Sequence, residues 1–365
     1  MRVLFVALPL VGHTLPMLPV ATAMQAAGHE VRVATGGDAL VADSGGVPFD
    51  DISGSPRPTR PLRIVLGHPV LSARVATGRG GGPGAAMVLT DVNAATVEPV
   101  RALAARWRPD VVVHDPMAIA APVVAAELGV PTVLHGNALM DVHELRAAVL
   151  ERHRLRGLPP PALAIDISPP SVVGGRPGQQ PLRTMPWSGD GKLPDWLARP
   201  SERPRIVVSR STIEGGPPGG DPMPAVIRAA DAVDAEIVLV RSPRTSGLPD
   251  NVRAVGWVPL DQVLPHCAAV VHHGGAGTTL GAFVAGVPQL LVPGIGDRRY
   301  NAQRVAARGA GLAAPARRIT AELLNQLLTD PAIGTAADEV RREIAELPEP
   351  AGVVARIEDV VAARA

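Results

Sequence analysis

The sequence predicts an α/β protein made of two doubly wound halves that face each other across a cleft. Its length of 365 residues is long for one ordinary domain and fits two. Short apolar, β-branched runs alternate with helical segments, as in chains of βαβ units. A Pro-rich stretch interrupts this series, which then starts again, so we place the domain boundary near residue 200. Ligands bind at the carboxyl ends of strands in such sheets, which puts the expected site in the cleft.

The first half begins with a predicted buried strand over residues 2–8 and a helix over 14–27. A second strand is predicted over 30–35. These elements form one strand–helix–strand unit, which argues against interpreting the apolar start of the chain as a signal peptide. Two more strands are predicted over 111–115 and 131–135, with an Ala-rich helix between them.

Two stretches interrupt the pattern. Residues 55–84 are rich in Gly and Pro and contain arginines without any acidic residue. This composition predicts a mobile loop region, either a lid over an acceptor or a merely solvated loop. Residues 159–204 are Pro-rich and separate the two series of strands.

The second half repeats the alternation of strands and helices. Strands are predicted over residues 205–209, 236–241, 252–257, 269–273 and 288–293. Helices are expected from there to the C-terminus, and the last one can pack back on the first half. The sequence therefore predicts domains at residues 1–200 and 201–365.

Composition excludes several classes of protein. A charged fraction of 19% with a net charge of +1 provides no general field for attracting nucleic acid. Cys267 is the only cysteine, which excludes an intramolecular disulfide and a thiolate metal cluster and fits a cytoplasmic protein. No apolar run approaches the roughly 20 residues of a membrane span. We therefore expect no nucleic-acid and no membrane partner, and a homodimer is left open.

The strongest local signal is His-His-Gly-Gly-Ala-Gly-Thr-Thr at residues 272–279, directly after a predicted strand and at the start of a helix. Glycines let backbone N–H groups approach a ligand, and a helix N-terminus attracts an anion. This pattern predicts a seat for a diphosphate. The candidate contacts are His273, Gly275, Ala276, Gly277 and Thr278.

The alternative is a tight strand-to-helix turn whose glycines serve only backbone geometry. The motif is neither G-x-G-x-x-G after the first strand nor a P-loop, because no Lys follows the glycines. NAD and ATP are therefore disfavoured as ligands.

Several motifs together resemble the family-one glycosyltransferases of GT-B fold, especially bacterial enzymes that decorate natural products. In the second half they are residues 272–279, Gly286-Val287-Pro288, Pro293, Asp297, Asn301-Ala302 and Gly309. In the first half they are Gly12-His13 with Pro16 and Pro19, residues 26–31, residues 108–115 and residues 128–131. The resemblance covers roughly residues 1–50, 95–136 and 203–312.

This resemblance implies an inverting transferase that moves a deoxysugar or glucose from a TDP- or UDP-sugar to a small apolar acceptor. The first domain would bind the acceptor and the second the nucleotide sugar. The sequence has no Asp-x-Asp pair and no His/Cys cluster at ligand spacing. We therefore expect no metal and no cofactor besides the nucleotide sugar.

The resemblance also implies further donor contacts. Trp257 and Val258 would hold the nucleobase by stacking and by backbone hydrogen bonds, whereas the residues alone favour Trp257 as an ordinary core residue. Polar contacts to the diphosphate would follow the first strand of the second half, where this chain has Ser209, Arg210, Ser211 and Thr212. Arg210 departs from the smaller residues usual there, and its role is unassigned.

Asp297 would hold sugar hydroxyls, but the family usually follows it with Gln where this chain has Arg298. A guanidinium only donates hydrogen bonds, carries a charge and reaches farther than an amide. Three roles are open for Arg298: gripping the sugar, which we favour, binding the diphosphate, or facing solvent.

The reaction needs a base to remove the proton of the acceptor hydroxyl, and histidine titrates near neutrality. His13 follows the first strand and matches the catalytic histidine of the family. Asp115, at the end of another strand, could fix its tautomer and stabilise the imidazolium. Both residues also have structural alternatives, a helix start for His13 and a helix cap for Asp115. We expect His68, His114, His135 and His272 to be structural or solvated.

Two other functions remain open at this point. A nucleotide-sugar epimerase can share the fold and donor, and would turn over the donor without an acceptor. A transferase-like partner protein without catalytic activity would bind the donor tightly and turn over nothing. The presence of both His13 and Asp115 argues against the partner, whereas the change at Arg298 keeps it open.

Overall fold

The computed structural model describes residues 1–54, 68–188, 191–211 and 220–363. Within these ranges the chain forms two sheets of parallel strands, one in each half, with helices packed against them. This architecture confirms the predicted fold class.

The first sheet has seven strands. They are β1 (Arg2–Val6), β2 (Glu30–Thr35), β3 (Phe49–Asp51), β4 (Val111–His114), β5 (Thr132–His135), β6 (Leu163–Asp166) and β7 (Gln180–Pro181). Their order across the sheet is β3-β2-β1-β4-β5-β6-β7. The order reverses between β1 and β4, whose register pairs Val6 with His114. In a doubly wound sheet this reversal opens a crevice at the carboxyl ends of the strands, where ligands bind.

Helices of the first half pack on both faces of this sheet. The helices up to residue 200 are α1 (Val11–Thr14), α2 (Leu18–Ala26), α3 (Pro69–Ala76), α4 (Gly81–Val88), α5 (Thr90–Trp107), α6 (Ala120–Leu128), α7 (Val142–Arg152), α8 (Pro170–Val173) and α9 (Asp195–Ala198). The last of these, α9, packs with the second half, where Leu197 shares an apolar cluster with Val207 and Val238. Short 3₁₀ turns occupy Leu15–Met17 and Gly37–Val41.

The second sheet has six strands. They are β8 (Arg205–Ser209), β9 (Glu236–Val240), β10 (Val252–Val255), β11 (Ala269–His272), β12 (Gln289–Leu291) and β13 (Gly311–Ala313). Their order is β10-β9-β8-β11-β12-β13. The reversal falls between β8 and β11, whose register pairs Ser209 with His272. Each half therefore presents one crevice of the same kind.

The helices of the second half are α10 (Met223–Ala229), α11 (Leu260–Val263), α12 (Ala276–Ala285), α13 (Arg298–Arg308), α14 (Ala321–Thr329), α15 (Pro331–Glu346) and α16 (Pro350–Ala362). Further 3₁₀ turns lie at Ala230–Ala232, Leu264–His266 and Ala316–Arg318.

The central strands are continuous apolar runs because both of their faces are covered. Residues 3–6 of β1 and residues 111–113 of β4 are at most 1% exposed. The end residues of several strands are polar and buried, among them His114, His135, Ser209 and His272. The fold thus carries polar groups at the carboxyl edges of otherwise apolar sheets.

Three of the sequence-based expectations need correction. The chain after residue 293 is not entirely helical, because β13 (Gly311–Ala313) pairs with β12 at the edge of the second sheet. The described part of the stretch 55–84 is not a loop, because α3 and the start of α4 lie there, and Pro69 at the first position of α3 suits a helix start. The rest of that stretch, residues 55–67, lies outside the described residues. The Pro-rich stretch 159–204 is not a simple interruption, since it supplies β6 and β7 to the first sheet. The expected boundary near residue 200 lies between β7 and β8.

The last helix, α16, packs against α2 of the first half. Val353, Val354 and Ile357 share one apolar cluster with Val20 and Met24. At the edge of this contact Nε2 of His29 lies 2.9 Å from Oε1 of Glu358. The chain therefore crosses back to the first half at its end.

Among the described residues, no helix combines the length and the apolar character that crossing a membrane requires.

Candidate active site between the two halves

His13 and Asp115 meet at the crevice of the first sheet. His13 lies in the single turn of α1 that follows β1, and Asp115 directly follows β4. Because β1 and β4 are neighbours in the sheet, their carboxyl ends bring the two side chains together. Nδ1 of His13 lies 3.3 Å from Oδ1 of Asp115.

Backbone groups fix the carboxylate of Asp115. The N–H of Leu8 donates to Oδ2 at 2.7 Å, and the N–H of Met117 donates to Oδ1 at 2.6 Å. Asp115 is fully buried. Burial alone would raise its pKa, but the charge and hydrogen bond of His13 and the two N–H groups outweigh burial and lower it. The carboxylate is therefore an ionised, rigidly held acceptor.

His13 keeps one face toward the cleft, with 20% of its side chain exposed. Burial favours the neutral ring, but the charge and hydrogen bond of Asp115 outweigh it and raise the pKa of His13. The charges of Asp297 and Asp38 add to this effect. A carboxylate can only accept, so the ring nitrogen that faces it carries the proton when the pair is hydrogen-bonded. Nε2 is then the basic atom.

Asn137 is a third polar residue of this site, and the sequence reasoning missed it. It is 6% exposed, follows β5, and places Nδ2 3.0 Å from Nδ1 of His13. Because Nδ1 carries the proton in the hydrogen-bonded pair, the amide can accept from it only after a flip that turns Oδ1 to the ring. The available signal was its position just beyond β5, the strand beside β4.

The other histidines of the first half have structural roles. Nδ1 of His114 bonds the carbonyl oxygen of Asp115 at 2.8 Å, and Nδ1 of His135 bonds that of Gly136 at 2.7 Å. Burial lowers the pKa of each ring to about 4. Both rings are therefore neutral at pH 7. His68 is exposed and lies 2.9 Å from Nη1 of Arg152.

The glycine motif forms a sharp turn between β11 and α12. Gly274 has φ +83°, a conformation that favours glycine, and Gly275 is the N-cap of α12. The buried ring of His272 holds the backbone of this turn by a hydrogen bond. The N–H of Gly274 donates to Nδ1 of His272 at 3.1 Å, so Nε2 carries the proton and donates to Oε1 of Gln289 at 3.0 Å. His272 is thus structural, with its pKa lowered to about 4 by burial.

The start of α12 is open to the cleft. Gly277 is exposed, and Gly275, Ala276 and Thr278 are partly exposed. Thr279 is buried and donates its hydroxyl to the carbonyl oxygen of Gly275 at 2.9 Å. The first N–H groups of a helix have no acceptor within the helix, so this end offers donors to an anion.

His273 lies beside that helix start. A side chain at Gly275 would place its Cβ 2.5 Å from Nε2 of His273, so only glycine leaves room for the ring. Burial, the neighbouring His272 and the charge of Arg298 lower the pKa of His273 to about 3. The ring is neutral and can donate one hydrogen bond.

Trp257 is not core filler. Its side chain is 58% exposed, whereas Val258 beside it is 5% exposed. An exposed indole anchored by a buried neighbour is a flat apolar surface on which a nucleobase can stack. Ser209 is 6% exposed at the end of β8 and Arg210 is half-buried. Thr212 lies outside the described residues.

Asp297 and Arg298 stand where α13 begins, next to the glycine turn. The Nδ2 group of Asn301 donates to Oδ2 of Asp297 at 2.8 Å and to the carbonyl oxygen of Gly274 at 2.9 Å. Burial raises the pKa of Asp297. Arg298 donates from Nη2 to the hydroxyl of Ser211 at 2.8 Å. The sequence reasoning included Asp297 and Arg298 but not the link through Asn301 or Ser211.

The two crevices face each other. The charge of Asp297 contributes to the raised pKa of His13. In turn, His13 opposes part of the rise that burial causes in the pKa of Asp297, so the two groups lie close enough to interact. On one side of the cleft, Nε of Arg299 donates to the carbonyl oxygen of Thr77 at 3.0 Å. His13 of the first half and Asp297 of the second half therefore lie near each other across the cleft.

In the described ranges, no group of three or more His, Cys, Asp or Glu side chains is placed to hold a metal ion.

Comparisons with known proteins show the family to which the chain belongs. Residues 224–360 match the C-terminal domain family of erythromycin biosynthesis protein CIII-like proteins, and residues 83–211 match the corresponding N-terminal domain family. The elloramycin glycosyltransferase ElmGT of Streptomyces olivaceus is 39% identical, over 98% of this chain and 97% of its own.

Solved structures are similar along the whole chain. The glycosyltransferase SnogD from Streptomyces nogalater has a TM-score of 0.79 at 34% identity, with 99% of each chain covered. The spinosyn rhamnosyltransferase SpnG has a TM-score of 0.81 at 28% identity, with 98% of this chain and 100% of its own covered. SpnG has also been solved with thymidine diphosphate and with spinosyn aglycone. The chain is therefore a glycosyltransferase of GT-B fold, and it belongs to the family of erythromycin biosynthesis protein CIII-like natural-product glycosyltransferases.

Proposed function

We propose that this enzyme transfers a deoxyhexose from a TDP-sugar to a hydroxyl group of a small apolar aglycone, with inversion at the anomeric carbon. The single observation that carries the proposal is the ionised Asp115 held 3.3 Å from His13, opposite the open start of α12. Such an arrangement pairs a base for the acceptor with an anion site for the leaving group.

The donor assignment rests on the second half. The exposed Trp257 offers a stacking surface for the nucleobase, with backbone groups of Val258 beside it. Gly275, Ala276, Gly277 and Thr278 offer N–H groups to the diphosphate, and neutral His273 adds a donor. Thymidine diphosphate bound to SpnG favours a TDP-sugar over a UDP-sugar. The rhamnosyl transfer in that protein's name favours a deoxyhexose.

The acceptor assignment rests on the first half. One relative is an elloramycin glycosyltransferase, and SpnG has been solved with spinosyn aglycone, which favours an aglycone as the acceptor. We assign residues 1–200 to acceptor binding and residues 201–365 to donor binding, with α16 returning to the first half.

The reaction proceeds in one displacement. Nε2 of His13 takes the proton of the acceptor hydroxyl as its oxygen attacks the anomeric carbon. The bond from that carbon to the diphosphate oxygen breaks on the opposite face, and its electron pair leaves with the nucleoside diphosphate. Asp115 orients the ring and stabilises the imidazolium. General-base catalysis of this kind raises a reaction rate by on the order of 10²- to 10⁴-fold. Asp297 is placed to accept hydrogen bonds from sugar hydroxyls.

We further propose that no divalent ion takes part, since the helix start and His273 provide donors to the leaving diphosphate. We place the reaction in the cytoplasm, which the single cysteine fits. The epimerase and the inactive partner protein, both open from sequence alone, have no support among the named relatives, which are transferases.

The test is a product screen. Purified protein is incubated with TDP-deoxyhexoses and UDP-glucose against a panel of apolar polyketide and phenolic acceptors, with His13→Ala as the control. We expect mass-spectrometric adducts of one sugar, dependent on His13, and an anomeric configuration in the product opposite to that of the donor by NMR. Retention of configuration, or turnover of the donor without acceptor, would overturn the proposal.

A further inference from the structure

Arg298 is a half-buried cation at the start of α13. Its side chain fills space between two glycines. A Cβ at Gly274 would lie 3.4 Å from the Cβ of Arg298, and one at Gly294 would lie 3.1 Å from its Cδ. With this packing the guanidinium lies beside the loop after β8, where its Nη2 donates to Oγ of Ser211 at 2.8 Å.

The guanidinium has no carboxylate partner within ion-pair distance among the described residues. Asp297 adjoins it in sequence, but Oδ2 of Asp297 accepts from Asn301 instead. Burial lowers the pKa of Arg298, which reflects the cost of holding this charge away from water. The bond to Ser211 uses only one of five N–H donors. A partly desolvated cation with spare donors is suited to an anionic ligand.

The position of this cation is specific. Gly274, against which Arg298 packs, immediately precedes Gly275, the N-cap of α12. The charge of Arg298 also contributes to the lowered pKa of His273. The guanidinium, the hydroxyl of Ser211 and the open helix start therefore border the same space. The sugar grip that we favoured from sequence would instead direct Arg298 toward Asp297.

We propose that Arg298 binds the terminal phosphate of the nucleoside diphosphate and that Ser211 positions its guanidinium. This inference rests on the proposed function, because it assumes a nucleoside diphosphate at the start of α12. When the bond between the anomeric carbon and the phosphate oxygen breaks, the electron pair stays on that oxygen. Arg298 then compensates the added negative charge directly, as a fixed cation of the protein.

The experiment measures the binding of TDP, TMP and inorganic pyrophosphate by calorimetry to the parent, Arg298→Gln, Arg298→Lys and Ser211→Ala. We expect Arg298→Gln to weaken TDP binding by about 10- to 150-fold, the effect of a lost charged hydrogen bond, and TMP binding by less than about threefold. Arg298→Lys restores part of the TDP affinity because it keeps the charge. Ser211→Ala weakens TDP binding by less than about 10-fold.

The matched control is Arg356→Gln, which removes the same charge. Arg356 is exposed on α16 beside Pro131 and Leu163, at the amino ends of β5 and β6 and so on the edge opposite the cleft. Its TDP affinity should equal that of the parent. Thermal melts of all variants show that the comparison is made on folded protein, and Arg298→Lys keeps the test valid if Arg298→Gln is unstable.

Equal losses for TDP and TMP, or unchanged TDP binding with altered preference between donor sugars, would overturn the phosphate assignment. A parent that binds pyrophosphate through Arg298 but does not bind TDP would contradict the proposed nucleotide and leave the phosphate contact in place. A parent that binds neither TDP nor pyrophosphate would contradict both.

Discussion

Nδ1 of His13 lies 3.3 Å from Oδ1 of Asp115, and the backbone N–H groups of Leu8 and Met117 hold that carboxylate at 2.7 Å and 2.6 Å. The pair spans two neighbouring strands of one sheet, so its geometry depends on the register of β1 and β4 rather than on a loop. Its ionisation is also coupled, since each group shifts the pKa of the other toward its charged form. The proposed chemistry therefore has a defined pH dependence.

Asp115→Asn should move that pH dependence downward. The protonated ring cannot act as a base, so kcat/KM falls on the acid side of the His13 pKa, which the carboxylate raises above 6.5. Removing the charge leaves burial to lower the pKa, and the acid limb moves to lower pH. The maximal rate should fall by about 10²- to 10⁴-fold, because the tautomer is no longer fixed. A pH–rate profile measures both effects, and an acid limb at the parental pH would contradict the coupling.

Asn137→Asp should move the acid limb in the opposite direction. It is nearly isosteric and places a second carboxylate about where Nδ2 now lies, 3.0 Å from Nδ1 of His13. An added negative charge favours the imidazolium and raises the pKa of His13 further. The matched control is Asn325→Asp, which adds the same charge at an exposed position of α14. If both variants give the parental pH profile, Asn137 does not act on His13.

Trp257→Ala should weaken TDP binding by about 1 to 3 kcal/mol, the usual contribution of one stacked base. Pyrophosphate binding should not change, because the indole does not contact phosphate. The melting temperature should change little, since the side chain is 58% exposed. Trp257→Phe, which keeps a smaller ring, should show an intermediate loss by calorimetry. An equal loss of TDP and pyrophosphate affinity would mean that Trp257 supports the fold of the site rather than the base.

Chelation should leave the transfer rate unchanged, because helix donors and neutral His273 are proposed to stabilise the leaving diphosphate. The measurement compares initial rates after EDTA treatment and dialysis with rates in added magnesium or manganese. Complete loss of activity that either ion restores would show that the leaving-group chemistry is wrong.

Much of the fold follows from patterns that stay local in the sequence. The strand predicted over residues 30–35 has the bounds Glu30–Thr35, and that over 205–209 has the bounds Arg205–Ser209. Both are alternating or apolar runs between turn residues. The short edge strands β3, β7 and β13 do not follow from the sequence pattern, because Phe49–Asp51 contains two acids, Gln180–Pro181 contains a proline and Gly311–Ala313 has only three residues. Their pairing depends on the neighbouring strand, which periodicity does not report.

The site was predictable where one motif carries the chemistry. The glycine turn, His13 and Asp115 lie at strand ends in the sequence, and the structure places them in facing crevices. Asn137 has no such motif, and the motifs that contain Ser211 and Asn301 do not show which side chains these residues contact, because those contacts join distant segments. Ser211 and Arg298 are 87 positions apart, and Asn137 and His13 are 124 apart. Only the folded chain shows which neutral side chain orients which charged one.

The most direct test of the account is the comparison of His13→Ala with the parent in both transfer and TDP binding. His13 belongs to the acceptor side, so kcat should fall by about 10²- to 10⁴-fold while the TDP dissociation constant stays within about threefold. That result would separate a general base from a donor-binding residue. Transfer by His13→Ala within about threefold of the parental kcat, with the same acceptor and donor, would contradict the central claim.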